Sequence, residues 1–212
     1  VIKRLPKYHR YLEELLKNDV DRISSKELSK KIGFTASQIR QDFNCFGDFG
    51  QQGYGYNVKE LHEQISNILG LTREYSIVIV GAGNIGQAVA NYSNFEKLGF
   101  KLKAIFDISF LVFSISISLI FNPKLVGIKI RDIEIEDIDT LENFLKDNSI
   151  DIGVICVPSR SAQDVCNILT KNKVKSIWNF APVDLSVPEG VFTEDVHLSD
   201  SLLTLSYLMH QS

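Results

Sequence analysis

The feature that most constrains this chain is a glycine-spaced turn between an apolar run and a helical segment. Gly81, Gly83 and Gly86 follow the apolar run 76–80, and Asp107 ends the next apolar run, 21 residues after Gly86. This spacing is typical of a dinucleotide-binding βαβ unit. The first glycine allows the tight turn, the second lets the backbone approach a pyrophosphate, and the third brings the helix close to the strand.

The start of the following helix and the distant acid predict which ligand is bound. A helix that begins at Asn84 and Ile85 offers unpaired N–H groups and a positive dipole end to phosphates. The carboxylate of Asp107 can accept hydrogen bonds from ribose hydroxyls, which favours NAD(H) over NADP(H). The alternative is a plain glycine-rich turn without a ligand.

Composition is that of an ordinary soluble globular protein of one or two domains, with 44% hydrophobic and 23% charged residues in a chain of 212. The apolar stretch 110–121 is too short to span a bilayer, so no membrane association is expected. Cys45, Cys156 and Cys166 lack metal-type spacing and are typical of reduced thiols. We therefore expect a cytoplasmic protein without a metal site.

Charge is unevenly distributed along the chain. Residues 1–59 carry eleven Lys and Arg against seven Asp and Glu, whereas residues 76–212 carry eleven against sixteen. A basic small domain joined to an acidic larger one fits a DNA-binding module on a ligand-binding module. Solvated faces alone could also produce this difference.

The N-terminal segment has the pattern of a helix-turn-helix. An apolar stripe over 7–17 predicts one helix, Ser25 is placed to cap a second that ends at Gly33, and Thr35 to cap a third. The last two of these helices form the motif, and the later one, which follows Thr35, is the one that enters the major groove through its N-terminal residues. The residues expected to face outward are Ser37, Gln38, Arg40 and Gln41. A small helical packing subdomain is the alternative.

Glycines alternate with aromatic residues over 46–56, which predicts a hairpin. After a helix-turn-helix such a hairpin is a wing that can reach a minor groove, here through Gln51, Gln52 and Tyr54. Asn57 is placed to cap a further helix.

The remainder alternates strands and helices, which predicts a doubly wound parallel sheet. Ligands of such sheets lie at the carboxyl ends of the strands, where Gly81, Asp107, Pro158 and Phe180 fall. The last segment, 198–210, predicts an amphipathic helix whose apolar face requires a partner. The predicted domains are a winged helix over 1–75, a Rossmann domain over 76–197 and a terminal helix over 198–212.

Several runs together resemble the Rex family of redox-sensing transcriptional repressors. They are Lys3-Arg4-Leu5-Pro6, Ser24-Ser25-Lys26-Glu27-Leu28, Ala36-Ser37-Gln38-Ile39-Arg40, Phe46-Gly47-Asp48-Phe49-Gly50, Gly53-Tyr54-Gly55-Tyr56-Asn57-Val58, Gly81-Ala82-Gly83-Asn84-Ile85-Gly86, Trp178-Asn179-Phe180-Ala181-Pro182 and Leu202-Leu203-Thr204-Leu205-Ser206-Tyr207. The resemblance implies a homodimer with an exchanged last helix, bound to an A/T-rich palindrome of double-stranded DNA and released from it by NADH.

The resemblance also implies roles for individual residues. Tyr92, Pro158 and Phe180 would surround the nicotinamide, and Ser37, Gln38 and Arg40 would read the groove. Arg4 would couple the DNA domain to the nucleotide site, with either His197 or Asp200 as its partner.

Two regions depart from the family pattern. The wing tip carries Gln51 and Gln52 where many relatives are basic, which predicts a shallower salt dependence of DNA binding. An uncharged insert, Ser109 to Phe121, follows Asp107 where relatives run on almost directly. Three interpretations of this insert remain open: a hydrophobic hairpin packed on a surface, a subunit contact, or an error in the recorded chain.

Three functions are compatible with these patterns. The first is a repressor that senses the NADH/NAD⁺ ratio, without enzyme activity. The second is a small NAD-dependent dehydrogenase, which would need a general acid or base near the nicotinamide and a substrate domain that the chain has no room for. The third is a CoA-binding domain, since related sheets bind CoA through similar turns.

Overall fold

The structure, a computed structural model, describes residues 1–47, 54–107 and 125–210. It divides into two compact units, Val1–Arg73 and Glu74–Ser212. The predicted wing-tip residues Gln51 and Gln52 and the insert Ser109 to Phe121 lie outside the described residues. Across the described ranges, every helix is too short or too polar to cross a bilayer.

The first unit is a winged helix-turn-helix, as predicted. Its helices are α1 (Leu5–Lys17, after a 3-10 turn Ile2–Arg4), α2 (Ser25–Ile32), α3 (Ala36–Asn44) and α4 (Val58–Ile68). The strands β1 (Arg22–Ile23) and β2 (Tyr56–Asn57) pair antiparallel, which ties the returning arm of the wing to the segment before α2. A single apolar core built on Tyr8, Leu12, Leu28, Ile39, Phe43 and Leu61 holds the four helices together.

Local signals explain where these helices begin. Ser24, and not Ser25 as predicted, caps α2, because Ser24 forms a reciprocal capping box with Glu27. Thr35 Oγ1 accepts the Gln38 N–H at 3.1 Å at the start of α3, as predicted. Gly33 between them has φ +73°, the left-handed conformation that ends a helix.

The described residues of the second unit form a seven-stranded sheet in the order β5-β6-β4-β3-β7-β8-β9. The strands are β3 (Tyr75–Val80), β4 (Phe100–Asp107), β5 (Lys129–Ile130), β6 (Ile133–Asp137), β7 (Ile152–Ile155), β8 (Ser176–Asn179) and β9 (Phe192–Asp195). Six of these strands, β6, β4, β3, β7, β8 and β9 in sheet order, are parallel, as predicted for a doubly wound sheet. The strand β5 instead forms an antiparallel hairpin with β6. The sheet is therefore mixed at one edge, a feature that the sequence reasoning missed.

Helices cover both faces of the sheet. They are α5 (Asn84–Asn91), α6 (Asn94–Lys97), α7 (Leu141–Asp147, after a 3-10 turn Ile138–Thr140) and α8 (Ser159–Lys171). A last helix, α9 (Leu198–His210), follows β9. Two apolar clusters, one on each face, form the core: Phe106 and Leu169 belong to one, and Ile79 and Ile105 to the other. The terminal helix α9 has no buried residue among those described.

Candidate functional sites

The carboxyl ends of four neighbouring strands bring the predicted nucleotide residues to one edge of the sheet. Gly81 follows β3, Asp107 ends β4, Pro158 follows β7 and Phe180 follows β8. Backbone hydrogen bonds continue past the strands: Gly81 N–H donates to the Phe106 carbonyl at 2.8 Å, and Phe180 N–H to the Ile155 carbonyl at 2.9 Å. From β3 the chain adds β4 on one side of the sheet and later β7 and β8 on the other. The strand order therefore changes direction beside β3, and this is the topological switch point where doubly wound sheets bind ligands.

Each fingerprint glycine has its own physical requirement. Gly81 has φ +101°, and a Cβ there would lie 2.5 Å from the carbonyl oxygen of Cys156. A Cβ at Gly86 would lie 1.8 Å from the Gly81 carbonyl oxygen, so a side chain would push α5 off the turn. At Gly83, no atom of the described residues lies within 4 Å of such a Cβ. This open space above the turn is what close approach of a pyrophosphate to the backbone requires.

The N-terminus of α5 opens onto that space. Gly83 is the N-cap of α5 and has no side chain with which to accept a hydrogen bond from the first N–H groups of the helix, those of Asn84, Ile85 and their neighbours. Gln87 Nε2 donates to the Ala82 carbonyl at 2.8 Å and holds the turn in place. The arrangement fits an anionic phosphate at a helix N-terminus.

Next to the turn, burial raises the pKa of the Cys156 thiol to about 12, so this side chain adds no charge to the site.

A row of aromatic rings extends from α5 to the end of β8. Tyr92 lies edge-on to Phe95 with centroids 4.7 Å apart, Phe95 to Trp178 at 5.6 Å, and Trp178 lies 4.7 Å from Phe180. The structure thus connects Tyr92 and Phe180, two of the three predicted nicotinamide neighbours, through two residues that were not predicted. Tyr92 is exposed and Phe180 is half-buried.

Asn179 determines how Phe180 leaves the strand. Its buried side chain donates to the Val183 carbonyl and to Asp195 Oδ1, both at 2.8 Å, and accepts the Ala181 N–H at 2.9 Å. Two of these bonds hold the turn 180–183 and the third links it to β9, which fixes the backbone that carries Phe180. Asn179 belongs to the run Asn-Phe-Ala-Pro but was not predicted as a site residue.

The outer surface of α3 presents the predicted DNA-reading residues. Ser37, Arg40 and Gln41 are exposed and Gln38 is half-buried, while Ile39 and Phe43 face the core. Arg40 Nη1 donates to Ser25 Oγ at 3.1 Å, which holds the guanidinium against the start of α2. Tyr54 is exposed at the base of the wing, where its carbonyl accepts from Arg22.

The inner surface of α3 carries a charge that sequence reasoning missed. Asp42 is 1% exposed, and both of its oxygens accept from Arg4, at 2.6 and 2.5 Å. The Tyr8 hydroxyl donates to Asp42 Oδ2 at 2.6 Å. The hydrogen bonds from Arg4 hold the pKa of Asp42 below its usual range, and burial raises that of Tyr8. The carboxylate is therefore ionised under all ordinary conditions.

The residues predicted to couple the two units occupy separate local contacts. Arg4 binds Asp42 in the first unit, and His197 Nε2 lies 4.0 Å from Asp184 Oδ1 in the second. Asp200 lies in the first turn of α9. The coupling role of these residues stays a prediction.

These features define a class of protein: a winged helix-turn-helix joined to a Rossmann-type nucleotide-binding unit. Family models match both units of the chain. Residues 72–183 match a family described as a CoA binding domain, and residues 1–44 match one described as a putative DNA-binding protein N-terminus.

Curated relatives identify the particular family. The chain is 78% identical over 211 residues to the redox-sensing transcriptional repressor Rex of Clostridium tetani, covering 100% of this chain and 94% of that protein. It is 67% identical over 211 residues to the Rex of Clostridium acetobutylicum, covering 100% and 92%. The chain therefore belongs to the Rex family of redox-sensing transcriptional repressors.

Solved structures show the same similarity. The Rex-family repressor RSP in complex with β-NAD⁺ and operator DNA has a TM-score of 0.86 at 58% identity, covering 99% of this chain and 91% of RSP. RSP in complex with β-NADH has a TM-score of 0.85 at 55% identity, covering 99% and 92%.

Proposed function

We propose that this protein is a DNA-binding transcriptional repressor that senses the NADH/NAD⁺ ratio and is released from its operator by NADH. The observation that carries the proposal is the occurrence of a groove-reading helix and an open glycine turn in one chain. Relatives of at least 67% identity bear the name of such a repressor. A chromosomal operator would place the protein in the cytoplasm.

The ligand of the second unit is NAD(H) rather than CoA or NADP(H). The open space at Gly83 and the uncovered N-terminus of α5 would hold the pyrophosphate. Asp107 at the end of β4 would accept from the ribose hydroxyls and oppose a 2′-phosphate. The CoA binding family shares the sheet and the glycine turn, and RSP, at 55% identity, has been solved with NADH.

Discrimination between the two redox forms would come from the aromatic row. Phe180, Trp178 and Tyr92, beside the exposed Pro158, form a largely apolar surface at the nicotinamide end. The neutral dihydronicotinamide of NADH loses less solvation there than the cationic ring of NAD⁺. Only such a difference in affinity can shift the DNA-binding equilibrium.

DNA reading would be performed by α3 and the wing of two copies. The exposed residues Ser37, Arg40 and Gln41, with Gln38 at their edge, would meet base edges in the major groove. Tyr54, Gln51 and Gln52 would follow the adjacent minor groove. We propose a homodimer on an A/T-rich palindrome, because two half-sites require two modules.

Helix α9 would supply part of the dimer interface by exchange between the subunits. Large apolar side chains cover it, and all of them are exposed in the single chain: Leu198, Leu202, Leu203, Leu205, Tyr207, Leu208 and Met209. A surface of this kind marks a protein contact. Arg4 would transmit the nucleotide state to the DNA-binding unit, through His197 or Asp200.

Titration calorimetry of the free protein with NADH, NAD⁺, NADPH and CoA tests the ligand assignment. We expect NADH to bind most tightly and CoA not to compete with it. Tighter binding of CoA than of NADH would overturn the assignment. Steady oxidation of NADH by a carbonyl substrate would instead support a dehydrogenase, which the comparisons do not favour.

A further inference from the structure

A buried carboxylate lies on the inner face of the helix proposed to read DNA. Asp42 shares this face of α3 with Ile39 and Phe43, and all three are at most 1% exposed. Burying an ion is costly, and apolar packing could hold a helix in place with equal or better stability. The position of this charge therefore requires an explanation other than stability.

The partners of Asp42 come from α1 and from the 3-10 turn that leads into it, and they approach from fixed directions. Arg4 presents its planar fork, with Nε on Oδ2 and Nη2 on Oδ1, and Tyr8 donates to Oδ2. A bidentate guanidinium–carboxylate pair fixes angle as well as distance, which apolar contacts do not. The three bonds thus set the rotation of α3 about its own axis relative to α1.

The ring of Tyr8 extends this restraint to the rest of the motif. It lies edge-on to Phe34 in the turn before α3 at 5.7 Å, and to Phe43 within α3 at 5.0 Å. Phe43 in turn lies edge-on to Tyr56 of β2 at 5.0 Å. The turn before α3 and α3 itself therefore pack on Tyr8, which binds Asp42, and the base of the wing packs on Phe43.

We propose that Asp42 is a positioning residue for sequence-specific DNA binding: anchored by Arg4 and Tyr8, it fixes the rotation of α3 that aims Ser37, Arg40 and Gln41 at base edges. This inference rests on the proposed function of α3 as the DNA-reading helix. It assigns Arg4 a direct role in operator recognition within its own domain, besides any coupling between domains.

The test compares Asp42→Asn with Asp21→Asn. Asp21 is an exposed acid of the same unit, so both variants remove one negative charge near the DNA. Electrostatics alone would leave both variants binding DNA equally or more tightly. A positioning role predicts that Asp42→Asn alone weakens DNA binding. Its operator affinity should fall by roughly tenfold, within the range for a lost bidentate base contact.

Two duplexes separate positioning from folding and from general DNA affinity. On the operator DNA bound by RSP, only Asp42→Asn should lose affinity. On a random-sequence duplex of equal length, which is bound mainly through phosphates, both variants should stay within about twofold of the unaltered protein. Urea unfolding of each variant checks that the measurements are made on folded protein.

Tyr8→Phe keeps the ring packing and removes one bond to Asp42, so the proposal remains testable if Asp42→Asn does not fold. It should weaken operator binding in the same direction, by a smaller factor. Unchanged operator affinity in a folded Asp42→Asn or Tyr8→Phe protein, or an equal loss on both duplexes, would overturn the inference. Failure of the unaltered protein to prefer the operator would instead overturn the proposed function.

Discussion

At the scale of single residues, Gly83 and Gly86 show how two glycines of one motif serve different purposes. A methyl group at Gly83 would meet no atom of the described part of the chain within 4 Å, whereas one at Gly86 would overlap the Gly81 carbonyl oxygen. Gly83 is also in an extended conformation, with φ −64° and ψ −172°, that alanine adopts without strain. The fold therefore requires Gly86, and only a ligand would require Gly83.

Gly83→Ala and Gly86→Ala should accordingly separate binding from stability. Gly83→Ala should leave the free energy of unfolding within about 0.5 kcal/mol. It should weaken NADH binding by roughly tenfold, through loss of a backbone contact to the pyrophosphate. Gly86→Ala should destabilise the protein by roughly 1–3 kcal/mol. Urea unfolding and NADH titration check both, and full NADH affinity in Gly83→Ala would contradict the proposed cradle.

Asp107 should determine the preference for NADH over NADPH. Asp107→Ala should remove both the hydrogen bonds to the ribose and the repulsion of a 2′-phosphate. The difference in binding free energy between the two nucleotides should then shrink by roughly 1.5–3 kcal/mol, as for a lost charged hydrogen bond. Titration of both nucleotides checks this, and equal affinities in the unaltered protein would exclude the assigned role.

Sequence reasoning placed the residues that carry a local signal. The glycines, Asp107 and the caps Thr35 and Asn57 follow fixed spacings, so the structure finds them where they were expected. Asp42 was missed because Arg4 is 38 residues away along the chain, and Asn179 because Asp195, one of its three partners, is 16 residues away. Only the fold brings such pairs together.

At the scale of elements, α1 and α4 bring two histidine rings into contact, tilted by 32° relative to each other. The rings of His9 and His62 lie 4.4 Å apart, and His9 Nε2 lies 3.1 Å from Ser66 Oγ. Within the described ranges, His62 Nε2 is the buried side-chain nitrogen or oxygen without a hydrogen-bond partner. Burial and then His62 lower the pKa of His9, while Glu13 on the same helix opposes the shift.

His9 should make the first unit less stable in mild acid. Because the pKa of His9 is lower in the folded state, the unfolded state binds more protons, so stability falls as the pH drops below about 6.5. His9→Gln should flatten that dependence between pH 7.5 and 5.5. Urea unfolding measures it: tyrosine fluorescence reports both units, since four of the seven tyrosines lie in the first, and fluorescence of Trp178, the single tryptophan, reports the second unit alone as an internal control. The same pH slope in His9→Gln would contradict the assignment.

Elements with a strong pattern were predicted and weak ones were not. Helix α9 has the predicted bounds, β3 begins one residue before the predicted run 76–80, and Asp107 ends β4 as expected. The strands β5, β6 and β9 and the four-residue helix α6 were missed, since two to five residues give little periodicity to read. Edge pairing and packing on the sheet define these pieces.

At the scale of the whole molecule, the exposed apolar surface of α9 predicts an obligate partner. Truncation after Val196 should abolish dimerisation and, with it, the release of DNA by NADH. Analytical ultracentrifugation and DNA titration of the truncated protein check the two effects separately. A stable dimer with release intact would defeat the exchanged helix.

The central claim is that one chain converts the redox state of a bound nucleotide into loss of DNA binding. Its most direct test is the affinity of the full-length protein for the operator DNA of RSP, measured at fixed salt in rising NADH and, separately, rising NAD⁺. The account predicts that NADH releases the DNA while the protein stays dimeric, and that NAD⁺ at equal concentration does not. An operator affinity indifferent to NADH across the whole titration would contradict it.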